Sequence, residues 1–215
     1  VLFILSLFSI LVGQPSFTAA TITSSADGAY SVYAVDLDGD GDMDVLSASS
    51  LDDKIAWYEN DGSESFTAAT ITSSADGASS VYAVDMDGDG DMDVLSASID
   101  DDEIAWYEND GSESFTANII TNSADGGTSV YAVDLDGDGD IDVLSSSAND
   151  DKIAWYENNG ASDPSFTAAN IVSNADASTS ADGAYSVYAV DLDGDGDMDV
   201  LSASENDDAI AWYEN

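Results

Sequence analysis

The sequence contains no cysteine and no histidine. Their absence excludes disulfides, thiolate nucleophiles, zinc sites built from Cys and His, and histidine general bases. Basic residues are almost absent as well, because Lys54 and Lys152 stand against 45 acidic residues and the formal net charge is −43. Nucleic acids and anionic membrane surfaces both require Lys and Arg to meet phosphates, so the composition argues against both as partners. Cations are the partners that it favours.

Charge of either sign is missing from residues 1–12, which read VLFILSLFSILV. This run is too short for a typical membrane-spanning helix and fits the hydrophobic region of a signal peptide. We therefore predict a signal-peptide-like leader over residues 1–15 and a secreted or cell-surface location. A buried first strand and the remnant of a membrane anchor are the alternatives.

After the leader, the sequence consists of four copies of one unit. The copies are marked by Phe17, Phe66, Phe115 and Phe166 near their starts and by Trp57, Trp106, Trp155 and Trp212 near their ends. The tryptophans are 49, 49 and 57 residues apart, and the extra residues fall in polar stretches at 161–164 and 176–180, as expected for surface loops. We place the repeats at residues 16–64, 65–113, 114–164 and 165–215.

Each unit contains four short apolar runs separated by turn residues. In the first copy they are residues 17–23, 31–35, 43–49 and 55–60, rich in β-branched and aromatic side chains and without helical periodicity. Four short strands repeated about every fifty residues predict an all-β fold, a β-propeller of four-stranded blades. Strand alternation sends Trp57 and Tyr58 to opposite faces, so we expect each blade to give one large aromatic residue to each neighbour.

Between the second and third runs, every unit carries a loop with five aspartates in nine residues. Such crowding is unfavourable without a cation, and calcium takes six to eight oxygen ligands. The D-x-D-x-D-G-x-x-D frame predicts side-chain ligands at positions 1, 3 and 5, a backbone carbonyl at position 7 and a closing carboxylate at position 9. We predict four calcium ions, one per repeat, bound by Asp36, Asp38, Asp40, Asp42, Asp44; Asp85, Asp87, Asp89, Asp91, Asp93; Asp134, Asp136, Asp138, Asp140, Asp142; and Asp191, Asp193, Asp195, Asp197, Asp199.

An EF-hand begins in the same way and is the competing interpretation of these loops. It needs a bidentate Glu at the twelfth position and a helix on each side. The twelfth position holds serine in every copy, and the flanking segments read as strands, so we reject the EF-hand. A solvated acidic turn without an ion is the remaining alternative.

The unit SVYAVDLDGDGDMDVLSASSLDDKIAWYENDG resembles the FG-GAP/VCBS repeat, the blade module of integrin α-subunit propellers and of many secreted proteins. The resemblance extends from Ser16 to Asn215 and implies that calcium is a structural ion between two strands of a blade. Propellers of this family usually close with about seven blades, whereas four repeats are present. The resemblance therefore implies further repeats in a longer protein, closure by association, or a small ring.

Two function classes follow. The first is a non-catalytic scaffold for adhesion or for an unknown protein or glycan ligand. The second is a lectin-like propeller or an accessory domain of a polysaccharide-active enzyme, to which the repeated Trp-Tyr pair would contribute stacking surfaces. Catalysis by the chain itself is not expected, because a catalytic pair of acids must be unique and these acids repeat fourfold. The acids of the hairpin turns, such as Asp52, Asp53 and Asp102, are interpreted as solvated surface.

Overall fold

The computed structural model describes residues 16–173 and 181–215, which form fifteen β-strands and no helix. The described residues therefore offer no helix that is long and apolar enough to cross a membrane. The predicted leader and the 176–180 insertion lie outside them. The strands are β1 (Ala29–Val35), β2 (Asp44–Ser49), β3 (Lys54–Asn60), β4 (Phe66–Thr72), β5 (Ala78–Val84), β6 (Asp93–Ser98), β7 (Ile104–Asn109), β8 (Phe115–Thr121), β9 (Gly127–Val133), β10 (Asp142–Ser147), β11 (Lys152–Asn158), β12 (Phe166–Val172), β13 (Ala184–Val190), β14 (Asp199–Ser204) and β15 (Ala209–Tyr213).

Consecutive strands pair antiparallel into four separate sheets, which are the blades of the predicted propeller fold. Blade 1 has the order β1-β2-β3-β4, blade 2 β5-β6-β7-β8, blade 3 β9-β10-β11-β12 and blade 4 β13-β14-β15. The register repeats between blades, with Leu46 opposite Trp57 in blade 1 and Leu95 opposite Trp106 in blade 2. The all-β blade architecture predicted from the sequence is confirmed.

The blades are offset from the sequence repeats by one strand. The fourth strand of blade 1, Phe66–Thr72, comes from the second repeat and pairs with β3, so the repeat boundaries at 64/65, 113/114 and 164/165 fall inside sheets. Residues 17–23, predicted as a strand, are not in one. The physical reason is the offset: the counterparts of this segment pair with the third strand of the preceding repeat, and among the described residues no third strand pairs with residues 17–23.

A hydrophobic core lies between each pair of consecutive blades. Trp57 of blade 1 shares a core with Tyr107 of blade 2, and Trp106 of blade 2 shares the next core with Tyr156 of blade 3. This confirms the expected exchange of one aromatic residue with each neighbour. A third core joins blades 3 and 4, and none of the three joins blade 4 to blade 1 among the described residues.

The first strands of the blades, β1, β5, β9 and β13, form the inner side of the array. Equivalent tyrosines on them stack in a file, with ring centroids 4.7, 5.1 and 4.8 Å apart, in the order Tyr33, Tyr82, Tyr131, Tyr188. Hydroxyl groups join the strands of neighbouring blades: Ser79 Oγ donates to Gly127 O at 2.7 Å and Thr128 Oγ1 to Ala184 O at 2.8 Å. The inner strands are thus held by both ring contacts and hydrogen bonds.

The acids of the hairpin turns after each second strand do more than face solvent, which corrects the sequence interpretation. Asp53 and Asp102 adopt the left-handed conformation, with φ of 56° and 61°. Their Oδ1 atoms accept hydrogen bonds from Gly77 N and Gly126 N, at 3.2 and 3.0 Å, in the segment that enters the next blade. These aspartates therefore hydrogen-bond one blade to the segment that enters the next, and we call them latch aspartates. Asp151 makes the equivalent bond, with Gly183 N at 3.0 Å.

Two isoleucines at the same repeat position test how much the stacking of neighbouring blades contributes to stability. Ile104 of blade 2 is completely buried, whereas Ile210, at the same repeat position in blade 4, is 80% exposed. We expect Ile104→Ala to lower the free energy of unfolding by about 2–5 kcal/mol, because it leaves a cavity in a packed core. Ile210→Ala should change it by less than about 0.5 kcal/mol. Urea denaturation of both variants measures the difference, and equal losses would contradict the one-sided burial of blade 4.

Candidate metal centres

Each aspartate-rich loop connects the inner strand of a blade to its second strand. Antiparallel pairing puts all four loops at the same end of the array, together with the turns between third and fourth strands. Glycine is required inside the loops, where Gly39 and Gly41 have φ of 75° and 98°. The flanking strands, rather than helices, agree with the rejection of the EF-hand.

Three carboxylates converge in every loop. One oxygen from each of three aspartates lies within 4.8 Å of the others in the following groups: Asp36, Asp38, Asp40; Asp85, Asp87, Asp93; Asp134, Asp136, Asp138; and Asp191, Asp193, Asp199. The first and third predicted ligands are thus together in all four loops. They are joined by the fifth position in two loops and by the ninth in the other two.

The ninth aspartate of each loop is buried and binds backbone on both sides. In blade 2, Asp93 Oδ2 accepts from Met86 N at 3.0 Å and Oδ1 accepts from Asn109 N at 2.8 Å. Asp44, Asp142 and Asp199 make the same pair of bonds. Each carboxylate oxygen retains a second lone pair, so these aspartates can still close a metal site while fixing its loop to the third strand.

In blades 1 to 3, the side chain of the seventh aspartate lies against a glycine in the turn after the third strand. In blade 2, the carboxylate of Asp91 lies against Gly111 in the turn after the third strand, where a β-carbon would collide with it. Gly111 has a φ of 72°, so both the backbone and the close approach require glycine. This placement is compatible with the predicted ligand role of the Asp91 backbone carbonyl, since that role does not use the side chain.

The electrostatics of the blade 2 loop favour a bound cation. Burial raises the pKa of Asp93 to about 6, despite hydrogen bonds from Asn109 and Met86 N–H groups that act in the opposite direction. The pKa of Asp87 is also raised, first by burial and then by repulsion from Asp89 and Asp85. In blade 1, Asp36 Oδ1 is buried without a hydrogen-bond partner. A half-buried cluster of carboxylate oxygens fits a hard divalent ion.

An asparagine at the end of each third strand, which the loop motif did not single out, braces the loop. Asn109 donates from its backbone N to Asp93 and from Nδ2 to Met92 O at 3.1 Å, and its Oδ1 accepts from Gly111 N at 3.2 Å. Asn60, Asn158 and Asn215 occupy the equivalent positions. The sequence feature that could have identified this asparagine is its recurrence in all four copies, directly after Trp-Tyr-Glu.

Removing this brace should destabilise the loop. We expect Asn109→Ala to lower the free energy of unfolding by about 1–3 kcal/mol, because Met92 O and Gly111 N lose a buried partner. Asn118→Ala is the control, since Asn118 is only half-buried on β8 and makes one long bond to Thr116 O at 3.4 Å. Chemical denaturation in a chelator isolates the brace from any bound ion. Equal effects of the two substitutions would show that Asn109 does not brace the loop.

Comparisons with solved structures find propeller-like relatives at low identity. A lectin from Agrocybe aegerita, described as recognising terminal N-acetylglucosamine, is 19% identical with a TM-score of 0.55, over 80% of this chain and 46% of that one. The Vibrio cholerae biofilm matrix protein Bap1 is 23% identical with a TM-score of 0.53, over 86% and 26%. A Lactobacillus plantarum protein is 15% identical with a TM-score of 0.50, over 86% and 54%. These likenesses support the fold, and the chain spans roughly half or less of each relative.

No curated protein matches the chain significantly. The family comparison is more informative, because the FG-GAP-like repeat matches residues 8–47, 36–96, 85–145 and 140–202. The matches overlap and together include all four aspartate loops. The chain belongs to the FG-GAP-like repeat family.

Proposed function

We propose that the chain is a non-catalytic, calcium-binding β-propeller scaffold of a secreted or cell-surface protein, in which one calcium ion per repeat stiffens each blade. The observation that carries this proposal is the convergence of three carboxylates in each of the four loops. Family membership supports it, since the repeats are FG-GAP-like. The proposed partners are calcium and an unknown protein or glycan ligand.

The donor set favours calcium over other metals. All candidate ligands are oxygens, and the chain has no cysteine or histidine to select zinc or copper. Magnesium requires near-ideal octahedral geometry and retains several waters, which suits a cluster of converging carboxylates less well than calcium. Asp36, Asp38 and Asp40, with a carbonyl from Asp42 and a carboxylate from Asp44, provide ligands that calcium can accept at varied distances.

Calcium would act on the strand connections rather than on a substrate. A bound ion would tie the loop between β5 and β6 together, while Asp93 and Asn109 continue the connection to β7. Four ions would reduce the formal charge from −43 to −35, so they relieve the loops and leave an acidic surface. A non-catalytic role agrees with this arrangement, because no single pair of acids is set apart from its three copies.

A glycan ligand is the alternative to a protein ligand. The lectin neighbour suggests it, but Trp57 and Trp106 are packed in blade cores and are not available to stack on sugars. Trp212 of blade 4 is 46% exposed, so a glycan site would use Trp212, the loop ends or the inner tyrosines. The location proposal rests on the acidic surface, on the repeat family and on neighbours that include a biofilm matrix protein.

Calcium should stabilise the folded chain. We expect the melting temperature, followed by far-UV circular dichroism at fixed ionic strength, to fall strongly when a chelator replaces calcium, because an ion that binds only the folded state stabilises it. Magnesium at the same concentration should restore little of the loss. An unchanged melting temperature in the chelator would contradict structural calcium and leave the loops as solvated acidic turns.

Stoichiometry tests the individual loops. We expect isothermal titration calorimetry to give four calcium sites per chain, and Asp87→Asn to remove one or weaken it at least tenfold, since the amide keeps the size of the side chain but loses its charge. Glu113→Gln, which makes the same charge change at an exposed turn outside the loops, should leave four sites. Identical titrations of the two variants would count against Asp87 as a ligand.

A further inference from the structure

The turn between the third and fourth strands of blade 3 differs in sequence from the same turn in blades 1 and 2. It begins with Asn159 before Gly160, whereas the other two turns have Asp61 and Asp110 before the glycine. This is the single place in the sequence where a glycine follows an asparagine, because the other asparagines precede residues that carry a side chain. Asn159 and Gly160 are both exposed, so water reaches them.

An asparagine next to a glycine can react without a partner molecule other than water. The backbone nitrogen of Gly160 attacks the side-chain carbonyl carbon Cγ of Asn159 and forms a new C–N bond. The amide nitrogen of Asn159 then leaves as ammonia, together with the proton that Gly160 N loses, and a five-membered succinimide remains. Water opens this ring at one of its two carbonyl carbons and gives aspartate or isoaspartate at position 159. Glycine favours the first step, because no β-carbon hinders the approach of its nitrogen.

Backbone donors already surround the oxygen atom on which charge develops in this reaction. Asn159 Oδ1 accepts one hydrogen bond from Ala161 N at 3.3 Å and another from Ser165 N at 3.1 Å. When Gly160 N adds to Cγ, this oxygen takes up negative charge, and donors that are in place before the reaction stabilise that charge. The same two bonds hold the Asn159 side chain over the turn that contains Gly160.

The peptide unit that contains the attacking nitrogen is also held in place. Gly160 N donates to Asn158 Oδ1 at 3.1 Å. On the other side of the reacting residue, Asn159 N donates to Ser165 O at 3.2 Å. One neighbour opposes the reaction: the carboxylate of Asp140 lies against Gly160, where a β-carbon would collide with it, and its negative charge disfavours loss of the Gly160 proton. The reaction should therefore be faster when this charge is removed.

Blade 1 shows that aspartate, one of the two products, fits this position of the turn. Asp61 Oδ1 accepts hydrogen bonds from Ser63 N and Ser65 N, at 2.9 and 3.3 Å. Asp61 N donates to Ser65 O at 3.1 Å. These bonds are equivalent to those that Asn159 makes within its own turn. Conversion of Asn159 to aspartate therefore gives blade 3 the turn that blades 1 and 2 already have.

Isoaspartate, the other product, does not fit in the same way, because it adds one carbon atom to the backbone before Gly160. Gly160 would move relative to Asn158, whose Oδ1 accepts its N–H. Asn158 connects this turn to the aspartate loop, since its Nδ2 donates to Ile141 O at 3.0 Å and its backbone N donates to Asp142 Oδ1 at 2.8 Å. The aspartate loop of blade 3 would therefore lose part of the brace that holds it.

We propose that Asn159 is a site of spontaneous deamidation, and that its isoaspartate product weakens the calcium site of blade 3 while the other three sites stay unchanged. The second part rests on the proposed calcium-binding function, whereas the first part does not. The reaction consumes one water molecule, releases one ammonia molecule and needs no enzyme. The chain would thus lose calcium at one repeat as it ages.

Mass spectrometry of the folded full chain, aged at mildly alkaline pH, tests the modification. We expect the peptide that contains Asn159 to gain about 1 Da, the difference between an amide and an acid. The gain should be at least tenfold faster than at Asn122, which is exposed and precedes a serine. Asp140→Asn should speed it, and Asn159→Asp should abolish it. A folded chain that keeps its mass, while a synthetic peptide of residues 154–166 gains 1 Da under the same conditions, would overturn the proposal.

Calorimetry of the fresh and the aged chain tests the consequence for calcium. We expect the fraction with isoaspartate at position 159, separated by chromatography, to lose one calcium site or to bind there at least tenfold more weakly. Asn159→Asp should keep every site of the fresh chain, because aspartate occupies the same position in blade 1. An isoaspartate fraction that binds calcium as the fresh chain does would overturn the second part. A fresh chain that binds no calcium would contradict the proposed function together with the second part, while the mass gain would still establish the first.

Discussion

The constraint on which this structure depends is that a four-stranded blade has two apolar faces and cannot bury either of them alone. Its second strand is composed of small and apolar residues. In blade 2, Val94 on one face and Leu95 on the other are fully buried, because a blade lies on each side. The unit of stability is therefore the pair of neighbouring blades. The aromatic exchange between Trp106 and Tyr156, the hydroxyl bonds between inner strands and the bonds of the latch aspartates are all consequences of that stacking.

A second constraint is electrostatic. The loops concentrate carboxylates at one end of the array, and the fold gives them only partial relief through backbone N–H groups. Asp93 illustrates the balance: two hydrogen bonds favour its charged form, but burial outweighs them and its pKa rises. Hydrogen bonds therefore shape the loop without neutralising it. A divalent ion would neutralise the charge that the hydrogen bonds leave on the loop carboxylates. The aspartate loop, the asparagine after the third strand and the strand register between them therefore act together.

The sequence predicted the parts of the structure that are local and repeated. The strands, the strand-flanked aspartate loops and the burial of Trp57 follow from alternation and from turn residues. The repeat period could not predict that blades are offset from sequence repeats by one strand. A tandem repeat can be divided at any point, and only strand pairing shows which copy supplies the fourth strand of a blade. The role of Asn109 was missed for a related reason: asparagine next to Asp-Gly reads as a turn residue, and its bonds join segments about sixteen residues apart.

Identical sequences in this chain have different physical roles according to their place in the array. Residues 65–77 contain a paired strand, while the same sequence at 16–28 remains unpaired; Val81 is core and Val32 is surface. No side chain needs to change for the exposed copies to become buried, since the interior blades already show the packed form. Whether a repeat position is core or surface is therefore decided by the neighbouring blade and not by the sequence of the repeat itself.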